Sequence, residues 1–311
     1  MKPSSARSPL IDTAYCVSAD KASESEPLIT VYIPTCNRPH LLEKALDSCI
    51  RQQVSDFEVI VVDDCSEPEL SVLNKELCQR DSRVRYLRLQ EPSGACVARN
   101  TAIEQAKGTF ITGLDDDDEF TASRLDVFLK NSAKLQHYSF LSTGYHVISD
   151  RRHFCFGKAK REIDSQDLLC ANHIGNQLFT YTVYLRDIGG FDPEFQSCQD
   201  YDCWLRLVLR FGKGLRIPEA TYCLHHNHGA QRISTSDKRE QGYQKMLDKH
   251  GSLMNQQQRD CQAFYLLLNS GLWSPLQLIA KSNRKTLFVA LKNILMYYAL
   301  RLGVTNKGFV V

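Results

Sequence analysis

Between residues 28 and 114 the apolar pattern switches repeatedly between a short β-branched run and a helical period, and that alternation leaves few folds open. LITVYI (28–33) reads as a buried strand ending at Pro34. Leu41, Leu42, Ala45, Leu46, Cys49 and Ile50 then recur at helical spacing. FEVIVV (57–62) and the more polar VRYLRL (84–89) are further strands. Val97, Ala98, Ala102, Ile103 and Ala106 mark a helix that stops near Gly108. TFITGL (109–114) is a fourth strand, and Leu125, Phe128, Leu129 and Leu135 suggest a helix after it. Connections of this length imply right-handed parallel crossovers, and such sheets bind ligands at the carboxyl ends of their strands. Those ends carry Pro34-Thr35-Cys36-Asn37-Arg38, Asp63-Asp64 and Asp115 to Asp118. The prediction is an α/β domain with a mostly parallel central sheet and a nucleotide site on one edge.

After residue 138 the alternation loosens. YSFLSTGYHVI (138–148) reads as a strand, with one or two more expected before Gly189. DYDCWLRLVLR (200–210) and residues 239–271 read as helical. Residues 1–26 are rich in Ser and charge and are expected to be a flexible lead-in. Residues 27–235 would form the catalytic domain and residues 236–311 a helical extension. The absence of an apolar run of ~18 residues predicts no spanning helix. With 24% charged residues and a net charge of +2, nothing favours nucleic acid as a partner. The 12 cysteines are scattered and form no C-x-x-C pair, which removes zinc-ribbon spacing. Reduced thiols in a cytoplasmic protein are expected.

The four-aspartate run is the sharpest chemical signal. A diphosphate leaving group gains negative charge as its bond to a sugar breaks, and a divalent cation is the simplest stabiliser. Mn²⁺ and Mg²⁺ take oxygen ligands, which carboxylates at a strand end supply. Continued strand geometry would send Asp115 and Asp117 to one side and Asp116 and Asp118 to the other. A solvated acidic loop, or a helix N-cap at Asp118, are the plainer readings of the run. On its residues alone Asp200 likewise reads as an N-cap.

Taken in order, VYIPTCNRP (31–39), VIVVDDCS (59–66), GACVARNTAIEQAKG (94–108), LDDDDEF (114–120), GGFDPEF (189–195) and QDYDCWLRL (199–207) resemble the motifs of glycosyltransferase family 2, with the GT-A fold. The resemblance spans roughly residues 27–235. It implies an inverting transferase, of bacterial polysaccharide or O-antigen type, that uses a nucleotide sugar, usually UDP-linked, with Mn²⁺ or Mg²⁺. It implies donor contacts from Pro34, Thr35, Asn37, Arg38, Asp64, Arg99, Asp115 and Asp116. Asp115 and Asp117 match the metal-holding pair, and Asp200 matches the catalytic base, with Asp202 the competing candidate. A sugar hydroxyl is a weak nucleophile, so a carboxylate must take its proton as it attacks.

Three residues depart from the family pattern. Cys36 replaces an aromatic residue, Cys65 stands where Gly is common, and Gln199 replaces an acidic residue. Gln199 removes a negative charge beside Asp200 and should ease its ionisation.

His225, His226 and His228 form a His-rich segment. His228 fits a family loop that closes over the donor diphosphate, and Arg232 could meet a phosphate. A zinc site lacks ligand spacing, and an exposed polar loop is the plain alternative. RKTLFVALKNILMYYALRLG (284–303) either lies in a membrane interface or packs on the catalytic domain. An interface would suit a polyprenyl-diphosphate-linked acceptor and a peripheral position on the inner face of the membrane. Two other classes compete. A sugar nucleotidyltransferase would want a glycine-rich loop where PTCNRPH stands, and a non-catalytic glycan-binding relative would have lost the acidic residues that are present.

Overall fold

The computed structural model describes residues 10–12, 26–149, 152–175, 177–225, 236–270, 273–291 and 293–294. Its first half follows the alternation: β1 (Ile29–Thr35), α1 (Pro39–Ile50), β2 (Phe57–Asp63), α2 (Pro68–Cys78), β3 (Val84–Arg88), α3 (Ala95–Gln105) and β4 (Phe110–Gly113). A two-residue strand β5 (Glu119–Phe120) and α4 (Arg124–Asn131) follow. Next come β6 (Leu141–Ser149), β7 (Arg152–Phe156), β8 (Arg161–Ile163), the single turn α5 (Ser165–Leu168), β9 (Phe179–Tyr181) and α6 (Thr182–Asp187). The chain continues through α7 (Gln199–Phe211), β10 (Gly214–His225), α8 (Ser236–His250), α9 (Gln256–Ser270) and α10 (Pro275–Lys281).

The sheet runs β3-β2-β1-β4-β9-β6-β10-β5, with β7 against β6 and β8 against β10. β1, β2, β3 and β4 are mutually parallel, as the crossovers require. β9 reverses direction against β4, so the second half of the sheet is mixed. That change of hand is why the pattern after residue 138 is hard to read: short antiparallel strands lack the long apolar runs of buried parallel ones.

β1 is buried along its length, and its side chains alternate between two cores. Ile29, Val31 and Ile33 face a layer built with Leu42, Leu46 and Phe128. Tyr32 faces the other layer, where Ala98, Ala102, Trp204, Leu205 and Met246 pack. Met246 lies on α8, so the helix after the family-like region closes over the same core. α9 and α10 form a satellite cluster around Phe264, Leu278 and Ala290. They leave Leu276, Phe288 and Leu291 exposed, and no helix among the described residues is long and apolar enough to cross a membrane.

Candidate active site

A cleft of about 1010 Å³ opens at the carboxyl ends of β1, β2 and β4, and α7 and α8 wall its far side. Every described donor, metal or base residue expected from the sequence lines it: Pro34, Thr35, Asn37, Arg38, Asp64, Arg99, Asp115, Asp116, Asp117 and Asp200. His226, His228 and Arg232 lie outside the described residues. His225, read above as part of a polar loop, instead ends β10, where its Nε2 lies 2.9 Å from Glu119.

β4 stops at Gly113, and the aspartates leave the strand in a turn closed by Asp118 N–H onto the Asp115 carbonyl. The alternation of sides survives even so. Asp115 and Asp117 are 20% and 33% exposed toward the cleft, whereas Asp116 and Asp118 are buried. Asp116 accepts from Thr35 Oγ1 (2.8 Å) and pairs with Arg38 (2.6 Å). Burial pushes the Asp116 carboxyl up to about 7 against the pull of Arg38. Asp118 accepts from Tyr222 Oη (2.9 Å) and from the His225 backbone N–H (3.0 Å), which anchors the end of β10. Arg38 also reaches Asp117 (3.4 Å), and Arg99 reaches Asp115 (3.0 Å). Two guanidinium groups thus hold the acidic run in place.

The loops after β1 and β2 are stitched together. Asn37 sits in the left-handed region at φ 57°, a conformation Asn tolerates. Its Oδ1 accepts from Glu67 N–H (2.7 Å), and its own N–H donates to Ser66 Oγ (2.7 Å). Asp64 accepts from the backbone N–H groups of Ser93 (2.7 Å) and Gly94 (2.8 Å), so it shapes the loop that leads into α3. Cys65, at φ 56°, occupies a position where glycine costs nothing.

On the opposite wall the two candidate bases have different surroundings. Asp202 is buried beneath α7 and is held by Arg206, Lys249 and His250, each at 2.8 Å. Burial works against its charge, but the His250 bond and the two cations outweigh it and hold Asp202 at about 2. Asp200 faces the cleft and accepts from Asn172 Nδ2 (3.1 Å). Burial raises Asp200 to about 6, with Arg99 opposing and Asp115 adding to the rise. The easing of ionisation expected from Gln199 is therefore outweighed by burial, and Gln199 instead accepts from Arg99 Nη1 (2.8 Å).

Among the described residues no three His, Cys, Asp or Glu side chains converge to hold a metal by themselves. Asp115 and Asp117 nonetheless fit a hard divalent ion that takes one or two carboxylates and draws its remaining ligands from phosphate and water. The sequence reading missed Gln177, which donates to Asp115 Oδ1 (3.1 Å), and Asn172. Neither lies in a motif, and each reaches its partner only through the tertiary fold.

A parallel half-sheet that ends in clustered carboxylates, extended by a mixed half that carries a helix-borne carboxylate across the cleft, defines a GT-A glycosyltransferase. Residues 30–188 match the family described as Glycosyl transferase family 2, and the chain belongs to that family. It is 36% identical over 254 residues, covering 78% of this chain and 88% of the relative, to WcaA of Escherichia coli (strain K12), designated a colanic acid biosynthesis glycosyl transferase. WfgD of Escherichia coli, named as a UDP-Glc:alpha-D-GlcNAc-diphosphoundecaprenol beta-1,3-glucosyltransferase, is 28% identical over 58% of this chain and 70% of its own. In fold the chain is similar to S. aureus TarS 1–349 in complex with UDP-GlcNAc (TM-score 0.61, 20% identity, 86% of this chain and 80% of that one). It is also similar to the mannosyltransferase PcManGT from Pyrobaculum calidifontis in complex with GDP-Man and Mn²⁺ (TM-score 0.57, 15% identity, 92% and 82%).

Proposed function

We propose that this glycosyltransferase moves a sugar, with inversion, from a UDP-linked donor to a hydroxyl of a lipid-linked saccharide during bacterial polysaccharide assembly. The observation that carries the reading is the placement of Asp200 in the same cleft as Asp115 and Asp117, with Asp202 turned away into an ion-pair network.

Asp200 takes the proton of the acceptor hydroxyl as that oxygen attacks the anomeric carbon. Attack from the face opposite the leaving group inverts the centre, and no protein nucleophile is needed. Asp115 and Asp117 would hold Mn²⁺ or Mg²⁺, which supplies charge neutralisation to the departing diphosphate when bound. Arg38 and Arg99 orient the aspartates and lie within the same cleft as the diphosphate. Pro34, Thr35, Asn37 and Asp64 shape the nucleotide end, and His228 is assigned a contact with the donor. Residues 27–235 are assigned to the catalytic domain and residues 236–311 to an extension whose first helix, α8, packs on that domain and walls its cleft.

The UDP donor and the polyprenyl-diphosphate acceptor rest on the activity for which WfgD is named, and the polysaccharide setting on WcaA and WfgD together. The extension adds a physical argument for a lipid-linked acceptor. Residues 261–311 contain six Lys or Arg and no Asp or Glu. Within them α10 buries Leu278 but exposes Leu276 (83%), and the helical stretch 287–291 buries Ala290 but exposes Phe288 (77%). Large apolar side chains beside Lys281, Arg284 and Lys285 suit the surface of an anionic bilayer.

The test is a donor screen. UDP-, GDP- and dTDP-sugars are incubated with the protein and Mn²⁺, with and without chelator, and nucleotide release is followed. Chelator-sensitive release of UDP that is abolished in Asp117→Ala is expected, with Asp200→Asn still binding the donor. Metal-independent release, or full activity of Asp200→Asn, would overturn the assignment.

A further inference from the structure

The loop between α5 and β9 reaches both poles of the cleft. Asn172 meets the base, and Gln177, five residues on, meets the acidic run. The orientation of the Asn172 amide is fixed by its other partners. Asn172 Oδ1 accepts from the backbone N–H groups of Ile174 (3.0 Å) and Gly175 (3.2 Å). A backbone N–H can only donate, so the Asn172 amide nitrogen must face Asp200. Gln177 Oε1 accepts from Tyr32 Oη (2.8 Å), which leaves Nε2 to donate to Asp115 Oδ1 (3.1 Å).

The surroundings lock this arrangement. Trp204 of α7 donates Nε1 to the Gly175 carbonyl (3.1 Å) and ties the loop to the helix that carries Asp200. Tyr32 and Gln177 meet over Gly113, where a Cβ would lie 2.1 Å from Gln177 Oε1 and 2.3 Å from the Tyr32 ring. The bare backbone at Gly113 is the space in which the Tyr32–Gln177 contact forms.

We infer that Asn172 and Gln177 are positioning residues: Gln177, backed by Tyr32, aims the Asp115 carboxylate at the metal and diphosphate, and Asn172 holds the Asp200 carboxylate at the attacking hydroxyl. This rests on the roles proposed above for Asp115 and Asp200. One loop thereby sets the spacing between leaving-group and base chemistry, and its two ends act on separable steps.

The experiment measures Mn²⁺-dependent UDP binding by calorimetry, and kcat and KM for nucleotide release from the donor selected in the screen. Thermal unfolding of each variant checks the fold. Gln177→Leu is expected to weaken Mn²⁺ affinity in the presence of UDP by about 10-fold or more, the usual cost of losing a group that orients a metal ligand. Tyr32→Phe should act in the same direction with a smaller effect, because Gln177 keeps one anchor. UDP affinity without metal should be unchanged in both. Asn172→Ala should leave Mn²⁺ and UDP binding and donor KM intact while kcat falls by about 10-fold. Wild-type Mn²⁺ affinity in a folded Gln177→Leu, or lost UDP binding in a folded Asn172→Ala, would overturn the inference. Wild-type protein that binds UDP with no Mn²⁺ dependence would instead refute the metal reading, and the role of Gln177 with it, while the kcat effect of Asn172→Ala still decides the other half.

Discussion

Asp200 and Cys65 make the most direct statements at the scale of single residues. A base works deprotonated, and Asp200 is raised to about 6. Transfer should therefore fall as pH drops through about 6 and level off above it, which a pH–kcat/KM profile would show. Asp200→Asn should lose about 10²- to 10⁴-fold in kcat. The stability linkage runs the opposite way: a carboxyl raised on folding contributes most when protonated, and that contribution declines as pH climbs from ~4 toward ~6. Cys65 explains a departure from the family pattern. Its position has φ 56°, which an L side chain adopts only with strain and glycine adopts freely. Its thiol makes only long contacts, 3.5 Å to the Gln90 carbonyl and 3.5 Å from Arg88. Cys65→Gly should raise unfolding free energy by about 0.5–1 kcal/mol in urea titration, against the loss glycine usually brings. The motif residues at the strand ends were legible because local order places them. Asn172 and Gln177 were not, since they lie 28 and 62 residues from the carboxylates they hold.

At the scale of elements, α7 carries two aspartates two residues apart with opposite duties. Asp200 faces the cleft, whereas Asp202 fastens α7 to α8 through Lys249 and His250. Sequence alone left both as candidates, because i and i+2 on a helix point to different faces but nothing local says which face meets the cleft. Packing decides it, through α8. Asp202→Ala should destabilise the protein by about 3–5 kcal/mol, since it leaves Arg206 without its carboxylate and the buried His250 Nε2 without its partner, while Lys249 keeps Asp192. Because Asp202 is held at about 2, that stabilisation is present above ~4 and fades as pH falls toward 2. Chemical denaturation at pH 7 and pH 3 should therefore show a smaller wild-type-to-variant gap at the lower pH. The parallel strands and their helices were legible from period alone. The mixed half was not, because β5, β8 and β9 are two or three residues long and take their place from partners distant in sequence.

For the whole molecule, the exposed apolar side chains of Leu276 and Phe288 stand outside the cleft, which neither residue lines. If the apolar side chains on α10 and the helical stretch after it meet lipid, the protein should co-sediment with phosphatidylglycerol vesicles. Leu276→Asp with Phe288→Asp should abolish co-sedimentation while nucleotide release from a free donor is unchanged. Equal co-sedimentation of the double variant would assign those side chains to another role.

The ion pairs of Arg38 with Asp116 and of Arg99 with Asp115 have a further consequence. Those pairs offset part of the acidic charge lining the cleft, and a diphosphate that arrives with one divalent cation is close to neutral. Little net charge is exchanged with the solvent, so donor affinity should respond only weakly to ionic strength. A landing on anionic lipid through exposed lysines and arginines is screened over a Debye length of about 10 Å at 0.1 M salt and weakens steeply above that. If the protein does land on anionic lipid, raising salt should release it while leaving its donor site filled, so that one knob separates where the protein sits from what it holds.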